Sequence, residues 1–220
     1  MLDFNQLAQQ CAPSVHPVTM QAIARTESSF NPFAIGVVGG RLARQPRDSE
    51  EAVATARALE ARGTNFSVGL GQVNRFNLAR YGLTYETAFD PCANLRAGSA
   101  ILHDCYQRAS AAYGQGQHAL RAAISCYYSG NFIGGERVQS SGSSYVQRVV
   151  ANARSTAAPV DMVPAIPVVM DGPTAPTAQV GAGAGKSSPA SRAVRSQRQD
   201  SPHPSWDAFG DFGCDSDSCR

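Results

Sequence analysis

The residue with the clearest potential for chemistry is Glu27, near the end of an apolar stretch that predicts a buried helix over residues 17–28. The helix must end before Phe30-Asn31-Pro32, because a residue that precedes proline disfavours the helical conformation. A carboxyl group in the last turn of a buried helix is held rigidly and is partly removed from water. Desolvation raises a carboxyl pKa, which suits a general acid acting near neutral pH. Since a glutamate at a helix end is more often a solvated surface residue, the assignment needs support from other segments.

Two later segments carry polar groups that suit the binding of sugars. Residues 65–74 contain closely spaced glycines followed by Gln72, whose amide both donates and accepts hydrogen bonds. The adjacent Tyr127 and Tyr128 come at a predicted helix end, where one hydroxyl is able to enter a groove. Each segment also has a simpler interpretation. The first would be a tight turn with a surface glutamine, and the second a core tyrosine beside an exposed one.

The composition changes near residue 154, and eight of the thirteen prolines follow it. This predicts a folded domain over 1–154 and a disordered linker, rich in Pro, Ala, Ser and Gly, over 155–205. Residues 206–220 mix aromatic and acidic side chains. They are interpreted either as a short docking peptide or as a solvated tail.

Within 1–154 the spacing of apolar residues predicts a mainly α-helical domain. The segment 34–42 is rich in glycine and β-branched residues, which predicts a small hairpin or an extended turn. Asp48 lies three residues before Glu51, the spacing of a capping box, and Gly63 is expected to end that helix. The helices are expected at about 3–10, 17–28, 48–62, 74–80, 94–112, 117–129 and 142–153.

Charge and hydropathy exclude several classes of protein. With 19 basic and 17 acidic residues the net charge is +2, which is too small to indicate a nucleic-acid partner. There is no run of about 18 apolar residues, so no membrane span is predicted. The first ten residues lack the basic start and apolar block of a recognisable secretory signal peptide.

Six cysteines without a C-x-x-C pair indicate either disulfides in an oxidising compartment or buried free thiols. One of three possible pairings in the domain joins Cys105 to Cys126 and Cys11 to Cys92, while the other two cysteines lie near the C-terminus. The four histidines are scattered, and no third ligand accompanies His103 and Cys105. We therefore predict no metal site.

Taken together, these segments resemble the motifs of the goose-type-lysozyme-like lytic transglycosylases. The resemblance rests on Glu27-Ser28 followed by 30–32, then 69–73, and then Tyr127 before Ser129-Gly130. Residues 31–40, the helix inserted after them and the proline-rich tail are most similar to the branch associated with type IV secretion systems.

The resemblance implies a lysozyme-like helical domain with a small β-element and a long glycan groove. It assigns Glu27 as the catalytic acid, Gln72 as a substrate contact and Tyr127 as the residue that orients the catalytic carboxyl. Ser28 and Tyr128 are further substrate-binding candidates. The chain departs from the family pattern at two places. Gly71 replaces a methionine, which predicts a roomier sugar subsite, and Tyr128 replaces an asparagine.

The implied reaction cleaves the bond between N-acetylmuramic acid and N-acetylglucosamine in peptidoglycan, forms a 1,6-anhydro ring and needs no cofactor. The expected partners are glycan strands and envelope components of a type IV secretion system, reached through the C-terminal tail, in the periplasm. Two alternatives stay open: a hydrolytic muramidase and a peptidoglycan-binding assembly factor. A glycosidase with two carboxylates has no clear second residue, although Glu86 and Asp104 are not excluded.

Overall fold

The structure is a computed structural model, and it describes residues 3–157. The predicted segment 206–220 and all but the first residues of the predicted linker lie outside the described residues. The α-helices are α1 (Phe4–Cys11), α2 (Pro17–Ser28), α3 (Ser49–Ala61), α4 (Tyr85–Ala88), α5 (Pro91–Tyr113), α6 (Gln117–Ser129) and α7 (Tyr145–Ala157). The strands are β1 (Ile35–Val37), β2 (Phe66–Val68) and β3 (Val73–Asn74). Short 3-10 helices cover Arg75–Asn77, Ala79–Tyr81 and Gly134–Glu136. The prediction of a mainly α domain with a small β-element is confirmed.

Local capping explains where the predicted helix bounds differ from those observed. α5 begins at Pro91, earlier than expected, because the side chain of Asp90 accepts a hydrogen bond from Ala93 N at 2.8 Å. α7 begins at Tyr145 because Ser144 and Gln147 form a reciprocal cap. Gln147 N donates to Ser144 Oγ at 3.1 Å, and Ser144 N donates to Gln147 Oε1 at 2.8 Å. The helix then continues to Ala157, past the predicted domain boundary at 154.

Two other local predictions need correction. The helix expected at 74–80 is replaced by two 3-10 turns that end at Gly82, which adopts a positive φ of 69°. The cap of α3 forms only in part, since Asp48 accepts from Glu51 N at 2.9 Å. The Glu51 carboxylate accepts instead from Arg47 N at 2.8 Å, so the reciprocal bond of a capping box is absent.

The segment 34–42, predicted as a small hairpin or an extended turn, does not form a local hairpin. β1 pairs antiparallel with β2, with Ile35 opposite Val68 and Val37 opposite Phe66, and β2 pairs with β3. Because α3 lies between β1 and β2 in the sequence, this pairing is non-local. The open edge of β1 is bound by the Gln45 side chain, which accepts from Ile35 N at 2.8 Å and donates to Ile35 O at 3.1 Å.

Two apolar clusters and two disulfides hold the domain together. One cluster joins α1, α2, α5, α6 and α7, and the other lies under the sheet and includes residues of α3 and α5. The disulfides Cys11–Cys92 and Cys105–Cys126 link α1 to α5 and α5 to α6, which confirms the predicted pairing. Cross-links of this kind typically contribute about 2–4 kcal/mol each. Within residues 3–157 no helix has the length and apolar character needed to cross a membrane.

Candidate active site

Glu27 lies in the last turn of α2, where that helix packs against α7. The chain turns sharply straight after it, because Ser29 and Phe30 both have positive φ values, 51° and 66°. The side chain is half-buried and faces a cleft. The predicted helix over 17–28 thus carries the carboxyl group as expected, and the fold gives it a fixed position.

The carboxyl group of Glu27 is held by Tyr145, whose hydroxyl donates a hydrogen bond to Oε1 at 2.6 Å. Desolvation raises the pKa of Glu27 from 4.5 to about 7, while the Tyr145 bond and the positive charge of Arg148 act in the opposite direction. Burial raises the pKa of Tyr145 well above its ordinary value. Tyr145 therefore stays a neutral hydrogen-bond donor across the range in which Glu27 titrates.

Tyr127 occupies a different place from the one predicted for it. Its hydroxyl donates to Gly71 O at 2.5 Å, so the hydrogen bond to the carboxyl comes from Tyr145 instead. Tyr127 still lines the cleft beside Glu27. A Cβ atom at Gly71 would lie 2.8 Å from the Tyr127 hydroxyl, so the extra room predicted at Gly71 is filled by that tyrosine.

The glycine-rich loop at 69–73 is fixed by a buried asparagine from α5. Asn94 Oδ1 accepts from Gly71 N at 2.7 Å, and its Nδ2 donates to Val68 O and Ala88 O at 3.0 and 2.8 Å. A Cβ at Gly69, where φ is 77°, would lie 2.2 Å from Asn94 Nδ2. Only glycine fits this close approach.

Ser28 couples α2 to this same loop. Its hydroxyl lies within hydrogen-bond distance of Leu70 O at 2.9 Å and Ala24 O at 3.0 Å. Ser28 is not among the residues that line the cleft. The Ser28 hydroxyl thus makes a contact that fixes the loop relative to Glu27.

Gln72 lines the cleft, as predicted, but its amide nitrogen is already occupied. Nε2 donates to Ala34 O and to Gly69 O, both at 3.0 Å. Oε1 points at Gly36, where a Cβ atom would lie only 2.5 Å away. Gln72 thus joins the glycine-rich loop to the start of β1, and Oε1 is the remaining polar atom of its side chain.

The cleft has two adjoining recesses of about 560 and 660 Å³. Both are lined by Asn74, Asn77, Ile101, Tyr127 and Tyr128. The first recess contains Glu27, and no other carboxylate lines it among the described residues.

The two acids that the sequence left open lie elsewhere. Glu86 forms an ion pair with Arg57, and neither residue lines the two recesses. Asp104 lines the second recess, where it pairs with Arg80 at 3.2 Å and accepts from the Tyr81 hydroxyl at 2.9 Å. Neither carboxylate shares the recess of Glu27. The described residues also contain no cluster of three or more His, Cys, Asp or Glu side chains able to hold a metal ion.

Tyr128 is 47% exposed to solvent and belongs to a network that surrounds Tyr145. The two rings stack with centroids 4.5 Å apart and an interplanar angle of 15°. Gln139 Nε2 donates to the Tyr128 hydroxyl at 2.8 Å, and Gln139 Oε1 accepts from Arg148 Nη1 at 2.8 Å. The phenol that replaces the family's asparagine is therefore hydrogen-bonded, and its partner comes from a loop that the sequence did not single out.

Arg148 is expected to set the pH range in which Glu27 is protonated. Replacing it with methionine removes the positive charge that lowers the pKa of Glu27. Glu27 then stays protonated to higher pH, so the alkaline fall in kcat/KM should move upward, with a loss in kcat of less than about tenfold. The measurement is the pH profile of wild type and variant.

The matched control is Arg137→Met, which removes the same charge from an exposed residue that lines neither recess. This control should leave the pH midpoint of the alkaline fall in kcat/KM unchanged. Arg148→Lys keeps the positive charge, so its midpoint should lie close to that of wild type. If the midpoint is the same in Arg148→Met and wild type, Arg148 does not act on Glu27.

The class of protein follows from comparison with known families. The family model described as the transglycosylase SLT domain matches residues 4–144. The chain therefore belongs to the SLT transglycosylase family and is a lytic transglycosylase, which confirms the resemblance found in the sequence.

Individual proteins of known name show which members of this family the chain is similar to. The type IV secretion system protein virB1 of Brucella suis biovar 1 is 58% identical over 181 residues, 82% of this chain and 76% of the relative. The protein virB1 of Agrobacterium fabrum is 36% identical over 164 residues, 74% of this chain and 64% of the relative. No solved structure matches the chain significantly.

Proposed function

We propose that this chain cleaves the N-acetylmuramic acid to N-acetylglucosamine bond of peptidoglycan, with Glu27 as the single acid and base. The observation that carries the proposal is the half-buried carboxyl, bonded by Tyr145, in a recess that no other described carboxylate lines. A hydrolase of the two-carboxylate type needs a second acid about 5–9 Å away. The structure offers none in that recess among residues 3–157.

In the first step protonated Glu27 donates its proton to the glycosidic oxygen as the bond from that oxygen to C1 of the muramic sugar breaks. The 2-acetamido oxygen of the same sugar stabilises the positive charge that develops at C1. A pKa of about 7 keeps a large part of Glu27 protonated in neutral solution, which an exposed glutamate does not achieve.

In the second step the Glu27 carboxylate takes the proton from the C6 hydroxyl while O6 forms a bond to C1. The product is a 1,6-anhydro ring, Glu27 is protonated again, and no water is consumed. Tyr145 holds Oε1 in place during both transfers, since it stays neutral and donates throughout. Such acid–base help is worth roughly 10²–10⁴-fold.

The walls of the first recess suit a neutral sugar chain. Besides Glu27 and Arg41, its polar lining consists of amides and a hydroxyl, which donate to and accept from sugar hydroxyls and N-acetyl groups: Gln45, Asn65, Ser67, Gln72, Asn74 and Asn77. Tyr127 and Tyr128 provide aromatic surface for the apolar faces of sugar rings.

The direct test is mass spectrometry of the products released from purified sacculi. Wild type should release muropeptides that end in 1,6-anhydro-muramic acid, and digestion in ¹⁸O-labelled water should leave them unlabelled. Reducing ends that carry ¹⁸O would show a hydrolytic muramidase and overturn the lyase mechanism.

We further propose that the enzyme opens the wall locally so that a type IV secretion machine can assemble in the cell envelope. The 58% identity to a Brucella type IV secretion system protein supports this role, and two disulfides fit the oxidising periplasm. In a strain that lacks the native gene, Glu27→Gln should fail to restore secretion. Full restoration would favour the alternative of a wall-binding assembly factor.

The C-terminal region is proposed to be a linker over 155–205 followed by a docking segment over 206–220 that binds secretion-system envelope components. Deleting 158–220 leaves all of α7 in place. The shortened chain should digest isolated sacculi within about twofold of wild type, because the cleft residues lie in the retained part. It should co-purify less with the secretion complex, and equal recruitment would refute the docking role.

A further inference from the structure

The two recesses differ in which charged side chains they carry. The first recess carries Glu27 and Arg41, whereas the second carries Arg80, Asp104 and Arg108. Arg80 is paired with Asp104 at 3.2 Å, and Asp104 also accepts from the Tyr81 hydroxyl at 2.9 Å. These contacts leave the positive charge of Arg108 uncompensated within the recess.

Arg108 is exposed and rests on a disulfide. Its Nη2 contacts Cys105 Sγ at 3.4 Å and Cys126 Sγ at 3.0 Å. Sulfur is a weak acceptor, and a guanidinium group has five N–H donors. Within residues 3–157 no carboxylate lies at ion-pair distance from Arg108. The side chain is thus anchored at one edge, while its remaining donors have no anionic partner.

We propose that this recess binds a carboxylate of the peptide stem attached to a muramic sugar, with Arg108 as the principal contact. The proposal rests on the proposed function, because it needs a peptidoglycan strand in the cleft. Asn74, Asn77, Tyr127 and Tyr128 line both recesses, so the two recesses adjoin and a strand that reacts at Glu27 is able to extend into the recess of Arg108. The glycan backbone itself is neutral, and stem peptides carry the acidic groups that a guanidinium group binds as a pair of hydrogen bonds.

The test measures kcat/KM of full-length wild type and Arg108→Gln on three substrates. These are native glycan strands, native strands whose stem carboxylates have been converted to amides by carbodiimide and ammonia, and strands stripped of stems by an amidase. On native strands the variant should lose about three- to tenfold, the range expected for one partly exposed charged contact. On amidated strands wild type and variant should react at equal rates.

The stripped strands distinguish the stem from the rest of the sugar, because they keep the lactyl carboxylate. Equal rates there would assign the contact to the stem. A defect on all three substrates would show that Arg108 contacts the glycan or supports the fold, and it would overturn the proposal. No defect on native strands would also overturn it.

Two controls complete the design. Arg62→Gln removes the same charge from an exposed residue at the end of α3 that lines neither recess, and it should match wild type on every substrate. Arg108→Lys should recover part of the rate on native strands. Glu27→Gln is assayed in parallel. If Glu27→Gln is inactive while Arg108→Gln reacts at the wild-type rate, only the proposed stem-binding role of Arg108 is refuted. If Glu27→Gln is fully active, the proposed function fails.

Discussion

Replacing Glu27 with glutamine is expected to lower kcat on sacculi by about 10²–10⁴-fold. Glutamine keeps the shape of the side chain but can neither donate the proton to the glycosidic oxygen nor take one back from the C6 hydroxyl. The control is Glu136→Gln, the same change at an exposed residue that pairs with Arg121 outside the cleft. Wild-type rates for Glu27→Gln would rule out Glu27 as the catalytic acid.

The same substitution should stabilise the fold above neutral pH. The pKa of Glu27 is raised from 4.5 to about 7 in the folded protein, so the folded state favours the protonated form. Wild type therefore loses stability as the pH rises from 4.5 through 7, whereas the glutamine variant does not. We expect the variant to gain about 1–2 kcal/mol at pH 8, after a discount for the partial exposure of the side chain, and little at pH 4.

Replacing Tyr145 with phenylalanine is expected to have the second largest effect. It removes the 2.6 Å hydrogen bond to Glu27 Oε1 and leaves the buried ring in place. Losing a hydrogen bond to a charged group costs about 1.5–3 kcal/mol, so kcat should fall about ten- to a hundredfold. The bond also lowers the pKa of Glu27, so the alkaline fall in activity should move to higher pH.

Tyr113→Phe is the matched control, because it deletes the same hydroxyl from a tyrosine that lines neither recess. Thermal unfolding of both variants separates a catalytic effect from loss of structure. A Tyr145→Phe variant that keeps the wild-type kcat and pH midpoint would show that this hydrogen bond does not position the acid.

The position of Glu27 at the end of a helix followed from two local signals, an apolar helix and a stop at Pro32, and the structure places its side chain in the cleft. Its role as the catalytic acid stays a prediction. The disulfide pairing was one of three that the sequence left open, and it was favoured because Cys105 and Cys126 lie on neighbouring helices. The observed bonds Cys11–Cys92 and Cys105–Cys126 confirm that pairing.

The hydrogen-bond partner of Glu27 was not predictable in the same way. The motif around Tyr127 was assigned the orienting role, whereas the hydroxyl that reaches Glu27 comes from Tyr145, more than a hundred residues away in sequence. Which of the two tyrosines meets the carboxyl depends on how α7 packs on α2, a long-range contact. A local signal did exist, since the cap formed by Ser144 and Gln147 places Tyr145 in the first turn of α7.

The strand pairing was missed for a related reason. A glycine-rich, β-branched segment such as 34–42 predicts extended structure but not its partner. β1 pairs with β2 across the whole of α3, and Gln45 completes the open edge of β1 through both polar groups of Ile35. Periodicity within one segment contains no information on such a non-local contact.

The departure at Tyr128 shows how a substitution can be accommodated elsewhere. The family has an asparagine at this position, so the sequence did not predict which groups would form hydrogen bonds with the tyrosine. In the structure Gln139 bonds both Tyr128 and Arg148, and the Tyr128 ring stacks on Tyr145, which bonds the carboxyl group of Glu27. Gln139 lies in the loop before α7, outside the motifs that carry the family resemblance.

The most direct measurement for a single-carboxyl mechanism is the pH dependence of kcat/KM of wild type on purified glycan strands. One acid that must be protonated gives a plateau at low pH, as long as the protein stays folded, and a single fall with a midpoint near the Glu27 pKa of about 7. That result is the one we expect. A bell-shaped profile, in which kcat/KM also rises with pH at the acidic end, would require a second carboxylate that must be ionised. That result would contradict the single-carboxyl mechanism.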